Sequence, residues 1–271
     1  ALADSVGASR GGAGAVAVNG TGGGGTLGKT NNATINVSGT GATGVNIEGG
    51  AQGNIDAATT ITLSGSNATG AIADGQKHTL TGANSRAPVA STRLTSAAEL
   101  NSAQNGITGY LARNRAQLSN SGHINFSGAN TTGLRVESGA TGSNSGNISI
   151  SDGGTGIAVN SAGSTFTTIA SNSGNIDVNG GSTTRRSRGV SASGSQAVAN
   201  LNGGTFTPNG SGAIRAEALD GALVNIAAGS TPIFNNSDQI AYHAAGNGSR
   251  IRAATSALDV STRGSTGYRL D

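Results

Sequence analysis

Arg185, Arg186 and Arg188 fall within four residues of one another. Guanidinium groups that close suit a carboxylate or a sulfate, because each can hold the anion through two parallel N–H donors. The functional reading is contact with a sulfated or sialylated glycan or an acidic partner surface; the plainer reading is a solvated basic loop. The other reactive side chains are scattered. His78, His123 and His243 are isolated in the sequence, and His123 fills a turn slot that holds Asn147 and Asn175 in sister segments. That makes it a surface substitution rather than a ligand. Serines abound, but no Gly-x-Ser-x-Gly lies at a strand–helix turn to make a nucleophile. Asp4-Ser5 is flanked by Ala3 and Val6, not by the Gly and Leu of an esterase motif. Gly28-Lys29-Thr30 lacks the preceding strand and following helix of a phosphate-binding loop.

A polysaccharide-cleaving enzyme is the serious catalytic alternative, and it needs carboxylates gathered on one face. The outward row Asn36, Thr62, Asn125, Ser149 and Asp177 holds one acid in five. Asp152 stands in a turn beside Gly153-Gly154, where aspartate ordinarily serves backbone bonding. No catalytic residue, cofactor or metal is therefore expected.

What positions these residues is a repeat. Ser119-Asn120-Ser121-Gly122-His123-Ile124-Asn125-Phe126 returns as Ser143-Asn144-Ser145-Gly146-Asn147-Ile148-Ser149-Ile150, and again as Ser171-Asn172-Ser173-Gly174-Asn175-Ile176-Asp177-Val178. The step from Gly122 to Gly146 is close to the step from Gly146 to Gly174. A period of that size marks a solenoid, and apolar–polar–apolar triplets mark strands. A strand of three to five residues gains its stability by stacking on a copy of itself. Stacking places Ile124, Ile148 and Ile176 in one inward column and Phe126, Ile150 and Val178 in a second. Asn120, Asn144 and Asn172 form a structural ladder in which each amide bonds the next. A second triplet follows each first by about ten residues, as Ile35 is followed by Val45 and Ile124 by Leu134. The unit is a parallel β-helix coil.

Leu, Ile, Val and Phe fall below the ~20% associated with disorder, but a net charge of +3 over 271 residues is far from a disordered chain's. The same small charge gives no reason to expect nucleic acid. No apolar run approaches a membrane span. Residues 1–30 are Gly-rich and read as a first coil or a leader. Residues 86–118 break the pattern and read as an irregular insertion, with Leu94, Ala97, Ala98 and Leu100 spaced for a helical turn or two. Loops 86–118 and 182–189 are the projecting pieces. The whole is one domain, 1–271, of ten or eleven coils at about 24 residues each.

The run from Ile35-Asn36-Val37-Ser38-Gly39 to Val45-Asn46-Ile47, with its relatives at 61–73 and 124–136, resembles the passenger domains of bacterial autotransporters of the pertactin-like kind. The resemblance covers roughly 33–270. It implies a right-handed parallel β-helix, non-enzymatic, extracellular at the bacterial surface and attached to the outer membrane by a C-terminal barrel that these 271 residues do not include. It implies adhesion to a host-cell or matrix receptor or glycan, or self-association with a copy on a neighbouring cell. A passive stalk for a functional domain elsewhere is a further reading.

Overall fold

A computed structural model describes residues 16–19, 26–27, 34–76, 88–161, 163–227, 234–254, 258 and 260–271. Among them every regular element is a strand, 26 in all. Lys29, His78, Arg86, Asp4 and Ser5 lie outside the described residues, as does most of the Gly-rich start. Within that start, Val16–Asn19 and Thr26–Leu27 are strands.

The strands sort into three parallel sheets, each a face of one continuous coil. Face 1 has seven strands, from Thr34–Val37 to Phe206–Pro208; face 2 has ten, from Val16–Asn19 to Thr266–Leu270; face 3 has nine, from Thr26–Leu27 to Arg250–Ala253. The chain visits the faces in that order and then climbs one level. Each strand therefore pairs with the strand three places along, except near the C-terminal end, where no face 1 strand falls among the described residues and the step is two.

The inward columns follow the triplets. Ile124 pairs with Ile148 and Ile148 with Ile176, and Ile150 with Val178. All are buried, as is Phe126. On face 2 the column runs Val45, Ala71, Tyr110, Leu134, Ile157, Val190, Ala216 and Tyr242. Small Ala71 stands next to the large Tyr110, so a small residue offsets a bulky one at that step of the column. Full burial of one such Ile or Leu stabilises by about 1.5–3 kcal/mol.

Two columns of glycine set how closely the coils approach. A Cβ on Gly146 would lie 2.0 Å from the carbonyl oxygen of Gly122, and one on Gly174 2.0 Å from that of Gly146. At the entrance to face 2, a Cβ on Gly133 would lie 2.7 Å from the carbonyl oxygen of Gly156. At these positions a side chain would meet backbone closer than a Cβ can approach.

Two expectations need adjusting. Among the described residues the solenoid makes about eight turns, and the expected ten or eleven coils are not shown. Some coils are longer than the repeat of the middle segment, as where Thr69 pairs with Thr108 and Thr155 with Arg188. Of the stretch 86–118 expected to be an irregular insertion, residues 86–87 lie outside the described residues and the part from Arg93 on is regular coil. Residues 93–118 carry the strands Arg93–Ser96, Glu99–Ser102 and Thr108–Arg113, and reach into Gln117–Asn120. Leu94 and Ala98 are four apart because the chain turns a corner at Ala97-Ala98, not because it winds a helix. Ser96 pairs with Asn120 and Leu100 with Ile124, so Thr95 to Leu100 is a worn copy of the Ser-Asn-Ser-Gly-x-Ile segment.

Candidate functional site

Face 3 carries the longest uncharged polar row. Asn54, Thr95, Ser119, Ser143, Ser171, Asn200 and Asn225 stand one above another, facing outward. The next residue on each strand points inward, giving Ser96, Asn120, Asn144 and Asn172, and then Leu201. These three asparagines are buried at the ends of their strands. Their backbone is not left-handed; that conformation falls instead to corner residues such as Asn67, Asn114 and Asn130.

Burial requires each amide to be satisfied. Asn120 Nδ2 donates to Asn144 Oδ1 at 2.8 Å, and Asn144 Nδ2 to Asn172 Oδ1 at 2.8 Å. Each also donates to the carbonyl two residues on, as Asn144 does to Gly146 at 2.7 Å. At the lower end Ser96 Oγ meets the Tyr110 hydroxyl at 2.7 Å. Burial pushes the Tyr110 phenol well above its usual range, against the smaller opposing effect of the Ser96 bond, so it stays protonated.

Just beyond the asparagines the chain bends into face 1 through Ser121, Ser145, Ser173 and Asn202. The bend leaves a groove along the solenoid with a volume of about 290 Å³. Its banks are the outward row of face 3 and the row of bend residues; the amide ladder is its floor. Every side chain lining it is Ser, Thr or Asn. Within it Ser143 Oγ donates to Ser119 Oγ at 2.9 Å, and Ser121 Oγ donates to the Ser96 carbonyl.

The three arginines do not converge on a shared outer point. Arg185 pairs with Asp152, so Asp152 serves an ion pair as well as its turn. Arg186 Nη1 donates to the carbonyls of Gly212 at 2.8 Å and Asp238 at 3.0 Å. Arg188 Nε donates to Glu217 Oε2 at 2.7 Å, and its Nη1 to the Arg186 carbonyl. Each guanidinium is directed at the protein. His123 is exposed on its turn, and its Nδ1 accepts from the Asn147 N–H at 3.4 Å.

Sequence reasoning missed His243, which is not isolated. Its Nδ1 lies 3.0 Å from Glu217 Oε1 and its Nε2 3.0 Å from Asp271 Oδ2. Glu217 also accepts from Ser191 Oγ at 2.9 Å, and Asp271 from Arg269 Nε at 2.8 Å. Ser191, Glu217, His243 and Arg269 are register partners on four successive strands of face 2, and their even spacing in the sequence was the available signal. Burial alone would raise the Glu217 carboxyl; the neighbouring Arg188 and the bonds from His243, Ser191 and Arg188 together bring it below the usual range. The Asp271 carboxyl is lowered first by its bond from His243, then by Arg269.

Beneath this row lies a buried cation. Arg215 takes the place that Gly189 holds one coil below, and its side chain turns inward. Nη1 donates to the Tyr242 hydroxyl at 3.2 Å, and the guanidinium lies 5.7 Å from the Tyr242 ring centroid. Among the described residues no three His, Cys, Asp or Glu side chains come together to hold a metal.

A scan against protein-family models matched none, and no curated protein or solved structure proved similar to the chain. The fold and the surface must therefore speak for function. Chemically, the groove offers neutral donors and acceptors at each coil, whereas the charged row joins coils to one another.

Proposed function

We propose that the chain is a non-enzymatic display rod of the autotransporter-passenger type, wound right-handed, exported to the bacterial surface and held there through an outer-membrane barrel. Its work is adhesion to a host-cell or matrix surface, or attachment to copies on neighbouring cells. The observation that carries this reading is the uncharged polar row of face 3, seven residues long in unbroken register. Stacked parallel coils hold such a row straight, so many weak hydrogen bonds act together on one partner. The right-handed winding agrees with the strong preference of parallel crossover connections.

Beads coated with the purified chain test the reading. They are expected to clump with one another or to adhere to epithelial monolayers, while uncoated beads do neither. Coated beads that stay dispersed and do not adhere, or release of reducing ends from polysaccharides by the purified chain, would sink it.

A further inference from the structure

We propose that the groove between face 3 and the bend into face 1 binds one strand of a neutral, linear glycan lying along the solenoid axis. This rests on the adhesive reading above and supplies the ligand class for that role.

The first argument is shape. The groove is concave, about 290 Å³, and crosses the coils from Ser96 to Asn202. With coils rising about 4.8 Å each, four steps make it roughly 19 Å long. A concave strip takes a slender, convex occupant. A second copy meeting it about a two-fold axis would set one concave strip against another and leave a void, since such an interface must be self-complementary.

The second argument is chemistry. The lining carries no charge and no large apolar group, only hydroxyls and amides. A sulfated or sialylated chain would find no cation there, and an apolar peptide no pocket. The floor amides are occupied by one another, so recognition falls to the banks: Ser119, Ser143 and Ser171 on one side, Ser121, Ser145 and Ser173 on the other. A hydroxyl both donates and accepts, which matches sugar hydroxyls without fixing their direction in advance.

The third argument is commensurability. In an extended β-1,4-linked chain each pyranose ring advances by a length close to one coil, so each coil meets one sugar and like parts recur at every second coil. An extended peptide advances about 3.3 Å per residue and drifts out of phase with the coils.

The test is titration calorimetry of the full chain with neutral glucan hexamers of β-1,4, α-1,4 and β-1,3 linkage, and with a heparin hexasaccharide. At least one neutral hexamer is expected to bind, and heparin to bind more weakly. Affinity should hold within about twofold from about 50 mM to about 500 mM salt, because no ion pair is screened. Ser143→Arg and Ser145→Arg fill the groove from its two banks, and each should weaken binding at least tenfold. Asn125→Arg, on face 1, should leave it within twofold. Circular dichroism verifies that each variant keeps its strand content; should Ser143→Arg or Ser145→Arg not fold, Ser119→Gln or Ser121→Gln, respectively, replaces it from the same bank. No binding of any neutral hexamer at millimolar concentration, equal loss in Asn125→Arg, or a steep salt dependence would overturn the proposal. Coated beads separate the two readings. Beads that clump or adhere whether or not their groove is filled leave the rod's adhesive role standing and remove the groove from it. Beads that never clump or adhere remove that role, and the titration still decides the groove.

Discussion

Between Arg93 and Val178 the inward contacts that join the coils are neutral, isoleucine on isoleucine and asparagine on asparagine, and a charged pair such as Arg113 with Asp74 stands at the strand ends. Past Arg188 the same backbone stacking continues, but the row that climbs face 2 changes to Ser191, Glu217, His243 and Arg269. The middle coils hold their polar groups inside, in a ladder closed upon itself. The later coils hold theirs on the half-buried outer surface and place a cation, Arg215, inside. A neutral ladder in a dry column is indifferent to salt and acid. A charged row keeps its strength only while both signs are present and screening is modest. One fold thus contains a region whose cohesion is fixed and a region whose cohesion depends on conditions.

The sharpest way to break the middle region is through its close approach. Gly146→Val puts a Cβ 2.0 Å from a backbone oxygen that has nowhere to go. The expected loss is about 3 kcal/mol or more, and adjacent coils separate locally. Hydrogen exchange should show the strands Gln117–Asn120 and Thr168–Asn172 losing protection first. Protection unchanged at both strands would mean that the coils do not touch there.

Asn144→Ala comes next. It takes a partner from Asn172 Oδ1, from the Gly146 carbonyl and from one N–H of Asn120 Nδ2 in a buried column, at a cost of about 2–3 kcal/mol. Asn144→Leu copies the Leu201 that ends the column and should cost less, because apolar contact replaces part of what is lost. Chemical denaturation at low and high salt checks both. A marked salt dependence of either loss would erase the contrast drawn above.

The middle region was legible because its repeat is nearly literal. The regular return of Ser-Asn-Ser-Gly located the isoleucine columns and the asparagine positions without any structure. The later coils were not legible in the same way. Face 2 there reads Ile214-Arg215-Ala216-Glu217-Ala218-Leu219 and then Ile240-Ala241-Tyr242-His243-Ala244-Ala245, so alanine and charge hide the triplet. Glu217 and His243 stand a full coil apart along the chain, and no local pattern joins them. An inward arginine is invisible in sequence, since arginine is ordinarily outside. The coil through Leu94 was misread for a related reason: Ala97-Ala98 stands where its sister copies have Ser-Gly, and two alanines before a leucine imitate a helix.

Acid sharpens the comparison from the other end. The Glu217 carboxyl is lowered in the folded chain, so its contribution is complete above the unfolded value near 4.3 and disappears as pH falls through the folded value. As pH falls below about 4.3 the strands Ile214–Leu219 and Ile240–Ala245 should therefore lose protection, while Ile124–Phe126 and Ile148–Ser151 keep theirs. Glu217→Gln keeps the shape, removes the charge and should cost about 1 kcal/mol at neutral pH; its C-terminal coils should respond less to acid, with Asp271 left to titrate. A C-terminal response identical in the parent and in Glu217→Gln would place the sensitivity on another group.

The smallest effect is expected at the residues that looked most active in the sequence. Arg185 and Asp152 are both substantially exposed, so their ion pair is screened and entropically costly to hold. Arg185→Ala should change stability by less than about 0.5 kcal/mol. Arg188→Ala should cost more, because Arg188 faces a carboxylate that is 4% exposed and would lose its nearest cation. The two changes remove the same charge from the same loop, so a difference between them isolates burial as the cause. If heparin binding survives both changes together with Arg186→Ala, the loop's cations serve to fasten coils. If binding falls in proportion to the charge removed, whichever arginine is taken, then the loop faces an outside anion despite its inward bonds, and the boundary between a cohesive row and an adhesive one has to be redrawn around residues 185–188.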